Sequence, residues 1–338
     1  MSGLRVIKFE QPHEFAKAIA NYDDYSMNFA LGSTLDYGDK SQVLSQARWG
    51  ALMDALLAVY RGGELLLNLT KHAKDFSWMM ASPSHVDPSS EGDASDIDAA
   101  APLIARTLPT MVDPHLVDKV LGPERAVNAF IESWVAFMAK RGVQLKTPDP
   151  YFHCRTCCAT LSTLSPSSMD HDYPVSLARL SDVDALIPLF VEFSSHGPNP
   201  VSPKTARNII REGVEARRLW AYRIREGLAG YVLVGRETQR TIAIRNVFVL
   251  SRHRRKGIAE AMVRMVTRYY LGAEIPSEMA REGESAVISK HEICLNAGDP
   301  AVMRIYSRCG FMLDNNTRNL DTEKRGWFAM IWRGVEPM

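Results

Sequence analysis

From about residue 173 onward, the apolar positions follow two alternating rhythms, a period near two and a spacing of three and four. Val175 to Arg179 reads as a short strand, and Ser181 as the cap of a helix with Asp182 and Asp184 in its first turn. A second helix is expected from Lys204 to Arg217. Three strand-like runs follow, Leu219 to Arg225, Ala229 to Gly235 and Thr241 to Leu250, with Glu226–Gly227 supplying the first turn. Beyond a basic, glycine-containing loop come a helix from about Ile258 to Tyr270 and a polar insertion from Gly272 to Lys290. A strand from His291 to Leu295, a helix from Pro300 to Arg308 and a last strand near Trp327 to Trp332 complete the region. Hairpins first and helical crossovers later predict a mixed sheet.

The first half has a different texture. Residues 12 to 80 read as mainly helical, because Val43, Ala47, Leu52, Leu56 and Val59 recur at helical steps until Gly62 and Gly63. Ser82 to Ala99 is rich in Ser, Asp, Pro and Ala and reads as a mobile loop. A helix from about Pro123 to Lys140 carries Phe130, Trp134 and Phe137 on one face, which reads as core. Tyr151 to Thr163 reads as a strand and Ser165 to Asp172 as a linker. The expected fold class is therefore α/β with a mixed sheet. A mainly helical N-terminal domain over residues 1–165 would precede a catalytic domain over 173–338.

Composition narrows the function classes. The chain has 338 residues and a net charge of only +1, so a strongly basic nucleic-acid surface is not expected. No apolar run reaches the ~18 residues that span a bilayer, and Met1 to Gln11 lacks the apolar core of a secretory leader. The five cysteines are an odd number, which argues against a closed disulfide framework and for a reducing cytoplasm. His153, Cys154, Cys157 and Cys158 form HCRTCC, but no second pair stands at zinc spacing, so no metal is expected. Cys294 and Cys309 read as packing residues.

The chemistry concentrates in Asn246 to Val263, NVFVLSRHRRKGIAEAMV. A strand delivers the chain into RHRRKGIA and a helix follows at once. Free backbone N–H groups and the positive end of the helix dipole then face whatever lies in front. Gly257 permits close backbone approach, Ala259 is small, and Arg252, Arg254, Arg255 and Lys256 add positive charge. Those residues alone also fit a solvated basic helix start. No G-x-G-x-x-G, P-loop or G-x-S-x-G pattern occurs.

RRKGIA resembles the R-x-x-G-x-G/A signature of the GNAT superfamily of N-acetyltransferases. The resemblance implies a GNAT fold and acetyl-CoA as co-substrate. The pyrophosphate would lie on the turn made by Arg254, Arg255, Lys256, Gly257, Ile258, Ala259 and Glu260. It also implies that Val247, Phe248 and Val249 flank the pantetheine arm, Val247 and Val249 pairing with it like a further strand. A second segment, NAGDPAVMRIYSRCGF from Asn296 to Phe311, bounds a short helix by Asp299 as N-cap, Pro300 at its first position and Gly310 as stop. It resembles the N-P-x-x-x-x-I-Y-x-x-x-G-F/Y segment of the same superfamily. That implies Tyr306 as the general acid for the departing thiolate, and Asn296 and Asp299 as cofactor-bordering residues.

Two positions depart from the family pattern. Asp299 replaces the usual asparagine, and Arg245 and Asn246 stand where some members carry a glutamate base. A water relay, Glu192, His196 and Glu292 are the alternatives for the base. Upstream, GPERAVNAFIESWVAFMAKRG and the segments after it resemble a two-domain, small-molecule subgroup, which implies a small-molecule amine acceptor and a first domain that shapes its pocket. A protein lysine acetyltransferase and a non-catalytic CoA-binding protein are the competing readings. Neither nucleic acid nor membrane is expected as a partner.

Overall fold

A computed structural model describes the chain except residues 1–2, 38–54, 73–76, 165–173, 198–199, 274–288, 315–316 and 320–321. The chain divides into two compact units: Met1–Thr156 with Arg236–Thr241 and Trp327–Met338, and Cys157–Gly235 with Ile242–Gly326. The expected split into 1–165 and 173–338 therefore differs in one respect above all. The chain's last strand belongs to the first unit.

The first unit opens with β1 (Leu4–Phe9) and α1 (Pro12–Ile19), and residues 28–37 are also helical. Then come β2 (Ala55–Arg61), β3 (Glu64–Lys71), β4 (Trp78–Ala81), α2 (Glu91–Thr107), β5 (Lys119–Pro123) and α3 (Glu124–Ala139). A short β6 (Leu145–Lys146) leads to β7 (Phe152–Ala159), which starts in this unit and ends in the second. The sheet order is β1-β2-β3-β4-β5-β13-β7, where β13 is Trp327–Gly334. β4 and β5 are parallel, and β13 runs antiparallel to β5 with Met330 opposite Pro123.

This unit corrects the helical reading of residues 12 to 80. Within the stretch read as mainly helical, Ala55–Arg61 and Glu64–Lys71 are paired strands, Val59 opposite Leu67; residues 42–54 lie outside the described residues. Both strands are buried on both faces, so their side chains form near-continuous apolar runs that lack the period of two. The mobile-loop reading of Ser82 to Ala99 is also overturned from Glu91 on, where α2 begins. Its buried stripe is built from Ala94, Ile97, Ala100, Ala101, Ile104 and Ala105, and alanines gave too little contrast to show the helical period. The expected α3 is present, and Phe130 and Trp134 stack in the core at a ring distance of 5.9 Å.

The second unit repeats the element order of the first. It has β8 (Val175–Leu177), α4 (Val183–Ser195), α5 (Pro203–Glu215), β9 (Leu219–Ile224), β10 (Gly227–Gly235) and β11 (Thr241–Val249). Then follow α6 (Ile258–Tyr270), β12 (Glu292–Ala297) and α7 (Pro300–Arg308). Each unit thus runs strand, two helices, three strands, helix, strand, helix. The sheet order here is β7-β12-β11-β10-β9-β8. Tyr231 and Leu233 pack with Phe190 and Phe248 beneath α4 and α5, whereas Gly230 meets Met262 of α6 across the opposite face. A short β14 (Glu336–Pro337) at the chain's end pairs with β6 in the first unit.

Ser181 does not cap α4. It lies in a single 3-10 turn, Leu180–Asp182, and Asp182 occupies the N-cap without a side-chain cap bond. The Asp182 carboxylate instead accepts from the Arg179 amide (2.7 Å) and from Arg223 Nη2 (2.8 Å). A charge-assisted pair outweighs a single backbone bond here.

Candidate functional site

The turn between β11 and α6 is the site's starting point. Arg255 has φ +64° and Gly257 φ +77°, while Lys256 between them is not left-handed. Alternating backbone handedness of this kind turns successive N–H groups to one side, the geometry of an anion-binding nest. A non-glycine residue at positive φ is uncommon, and among the described residues Arg217, Arg236 and Glu323 share it with Arg255. Gly257 is the N-cap of α6, and no side chain caps the helix. The first-turn N–H groups therefore await an external acceptor. A Cβ built on Gly257 would meet nothing within 4 Å, so the turn is open on that side. The residues present fit a pyrophosphate.

The first unit offers a direct contrast at the same place in its element order. There α2 is capped by Ser90, whose Oγ accepts from the Asp93 amide at 3.2 Å, and Glu91 and Asp93 stand in the first turn. Asp93 Oδ2 also accepts from the Asp87 amide at 2.9 Å. That helix start is satisfied internally and carries negative charge, so it repels a phosphate where α6 attracts one.

β11 supplies the site's second part. The Leu250 amide donates to Ala229 O at 2.9 Å, and Gly230 stands opposite Val249. By the antiparallel alternation, Phe248 and Leu250 bond toward β10, and the peptide groups of Val247 and Val249 point to the β12 side. Phe248 itself is buried in the core under α4 and α5, so its side chain serves packing. Register slips between Leu233 and Val234, leaving Arg245 as the extra, exposed residue of a bulge directly upstream. Arg254 Nε donates to Val249 O at 2.9 Å, with its guanidinium 5.7 Å from the Phe248 ring, which fixes this cation at the strand's end. Arg255 and Lys256 are exposed.

α7 carries the third part. Asp299 Oδ1 accepts from the amides of Ala301 (2.6 Å) and Val302 (3.3 Å), so its carboxylate serves its own helix. Gly310, at φ +98°, stops the helix; a Cβ there would meet Thr163 O at 3.1 Å. Tyr306 is buried, its ring 6.0 Å from Phe311. Burial pushes its phenol well above the ordinary range, and the neighbouring Cys157 and Cys309 thiols add to this. Asn296 is half-buried on β12. Of the candidate bases, Glu192 and His196 lie at the C-terminal end of α4 and Glu292 opens β12.

One connection was missed in the sequence. Glu260, in the first turn of α6, accepts from Arg308 at the end of α7 through Nη2 (2.6 Å) and Nε (2.9 Å). It also accepts from Arg264 Nη2 at 2.8 Å. The Cys309 thiol donates to the Glu260 carbonyl at 3.6 Å. Hydrogen bonds from Arg308 above all, and from Arg264, hold the Glu260 carboxyl below its usual range despite partial burial. The i, i+4 spacing of Glu260 and Arg264 was the only local signal of this cluster.

Among the described residues all five cysteines are buried thiols outside any disulfide, and no group of three or more His, Cys, Asp or Glu could hold a metal ion. No helix of the described residues is long and apolar enough to cross a membrane.

Comparison with known proteins follows the same line. The acetyltransferase (GNAT) family matches residues 185–286. No curated protein matches the chain. Among solved structures, a GNAT-family acetyltransferase from Colwellia psychrerythraea is similar at 10% identity. The likeness covers 98% of this chain and 99% of that one, with a TM-score of 0.48. A GCN5-related N-acetyltransferase from Sphaerobacter thermophilus is similar at 14% identity, covering 99% and 95% with a TM-score of 0.48. A tandem GNAT protein from the clavulanic acid biosynthesis pathway is similar at 10% identity, covering 99% and 98% with a TM-score of 0.43. Likenesses this distant do not bear on substrate or reaction. The β11–α6 turn lies inside the matched segment, and the chain thus carries an acetyltransferase domain of the GNAT family over residues 185–286.

Proposed function

We propose that the protein is an acetyl-CoA-dependent N-acetyltransferase acting on an amine of a small molecule in the cytoplasm. The observation that carries this reading is the uncapped N-terminus of α6, with Arg255 and Gly257 in left-handed conformation and the turn open beside Gly257. The amides of Arg255 to Glu260 would hold the pyrophosphate, with Arg254, Arg255 and Lys256 adding charge. The peptide groups of Val247 and Val249, turned toward β12, would pair with the pantetheine arm, and the Val249 N–H would polarise the thioester carbonyl. Asn296 and the capped start of α7 at Asp299 would border the cofactor.

In this reading a neutral amine attacks the thioester carbonyl and the C–S bond breaks. Tyr306 gives its proton to the departing thiolate, and the proton lost by the amine leaves through a base or water relay. The raised phenol keeps Tyr306 protonated, as an acid requires. The reaction needs no metal. The second unit alone takes the cofactor, because the matching helix start in the first unit is capped by Ser90 and carries Glu91 and Asp93.

The test is calorimetric titration of acetyl-CoA into the wild type and Gly257→Glu. One site per chain is expected in the wild type and none in the variant, with unchanged circular dichroism. No binding to the wild type would end this reading. Binding without thiol release across an amine panel would replace it with a CoA-binding, non-catalytic role.

A further inference from the structure

We propose that Glu260 is a positioning residue that fastens the Tyr306-bearing helix to the pyrophosphate turn; this rests on the acid role of Tyr306 proposed above. The fold gives Glu260 an unexpected place. A carboxylate in the first turn of α6 suits the helix dipole, yet there it would repel the phosphate that the same turn is built to bind. Its charge is instead taken up by two guanidinium groups, Arg264 on α6 and Arg308 on α7.

Arg308 is the last residue of α7 and stands two positions after Tyr306, and both its Nε and Nη2 close on one carboxylate oxygen of Glu260. The Cys309 thiol reaches the Glu260 carbonyl beside them. Two side chains of α7's C-terminal end thus converge on one residue of α6. Glu260 is less exposed than Arg308, 23% against 55%, so the carboxylate is the fixed partner and the arginine the arm that reaches it. Arg264 and Arg308 leave the cluster with one net positive charge, which keeps the turn compatible with an anion. The arrangement therefore has two separable effects. It sets the position of Tyr306, and it trims the positive charge near the cofactor.

These effects predict that turnover is lost without a loss of apparent affinity for acetyl-CoA. In the full chain, Glu260→Gln should lower kcat about tenfold or more, as small displacements of an acid do. It should leave KM for acetyl-CoA unchanged or lower, because two guanidinium groups lose their carboxylate. Loss of general stability would lower apparent kcat through the folded fraction alone and leave KM unmoved, so each kcat is taken per folded molecule, counted by circular dichroism. Arg308→Gln, which cuts the same connection from its exposed end, should lower kcat similarly and serves if Glu260→Gln does not fold. The deciding measurement is the double variant Glu260→Gln with Tyr306→Phe. Its kcat should equal that of Tyr306→Phe alone, because a positioning residue has nothing left to position. A further fall of the same size in the double variant overturns the proposal. So does a normal kcat in both Glu260→Gln and Arg308→Gln while Tyr306→Phe is slow, and the acid role then stands. Full activity of Tyr306→Phe ends the acid role and this proposal together.

Discussion

At the scale of single residues, burial shifts two ionisable groups in opposite directions. Tyr306 acts only while protonated, and burial raises its phenol above the usual value of about 10. The rate with a small amine should therefore rise with pH as the amine loses its proton and show no falling limb below about pH 10. An alkaline limb near neutral pH that disappears in Tyr306→Phe would contradict the assignment. His72 lies at the end of β3, 2% exposed, with Nε2 3.3 Å from Thr34 Oγ1 and Nδ1 without a partner. Burial lowers its pKa to about 4. The folded state thus keeps it neutral while the unfolded chain protonates it below about pH 6.5. Stability is complete above that value and falls as the pH drops toward about 4, by roughly 3 kcal/mol in all. Urea melts of the wild type and His72→Phe between those limits check this, and equal pH slopes would refute it. The helix that carries Tyr306 and the turn from Arg254 to Ala259 were legible from the sequence as local structure because chain neighbours build them. The Glu260–Arg308 connection was not, since its two ends lie 48 positions apart.

At the scale of elements, β10 and α6 meet through the missing side chain of Gly230. A Cβ there would stand 2.4 Å from Phe248 O and 3.1 Å from Met262 Cε. The nearer atom is backbone of β11 and cannot rotate away, so Gly230→Ala should destabilise the protein by about 1–3 kcal/mol. It should also weaken acetyl-CoA binding, because β11 would shift with the turn that follows it. Denaturant melts and calorimetry on this variant are the measures; an unchanged midpoint would show that the strands yield. The helices Ile258–Tyr270 and Pro300–Arg308 were legible because each has an apolar stripe and a glycine or aspartate boundary. β2 and β3 were not, since burial on both faces removes the alternation that identifies a strand. α2 escaped for the converse reason, its buried face being small and its exposed face acidic.

At the scale of the whole molecule, the repeated element order comes with unequal chemistry and an exchanged strand. Trp327–Trp332 was rightly read as a strand, but as the close of the C-terminal domain. It lies between β5 and β7, a pairing that depends on tertiary register and leaves no local trace. Ile331 is buried with Trp78, Phe130 and Trp134 in that unit's core. A chain ending at Gly326 should therefore lose amide-exchange protection in β5 and α3, although both lie some two hundred positions upstream. Retained protection there would show that the first unit closes without its borrowed strand. The same dependence sets a schedule for synthesis. The ribosome makes residues 1–156 well before Trp327–Gly334, and β5 lacks that neighbour until the strand emerges. At ordinary elongation rates that delay is roughly 10–30 s. Throughout it an unpaired apolar strand edge is exposed on the nascent chain. Slower translation lengthens that exposure, so the yield of native protein should depend on the pace of the ribosome as well as on the stability of the finished fold.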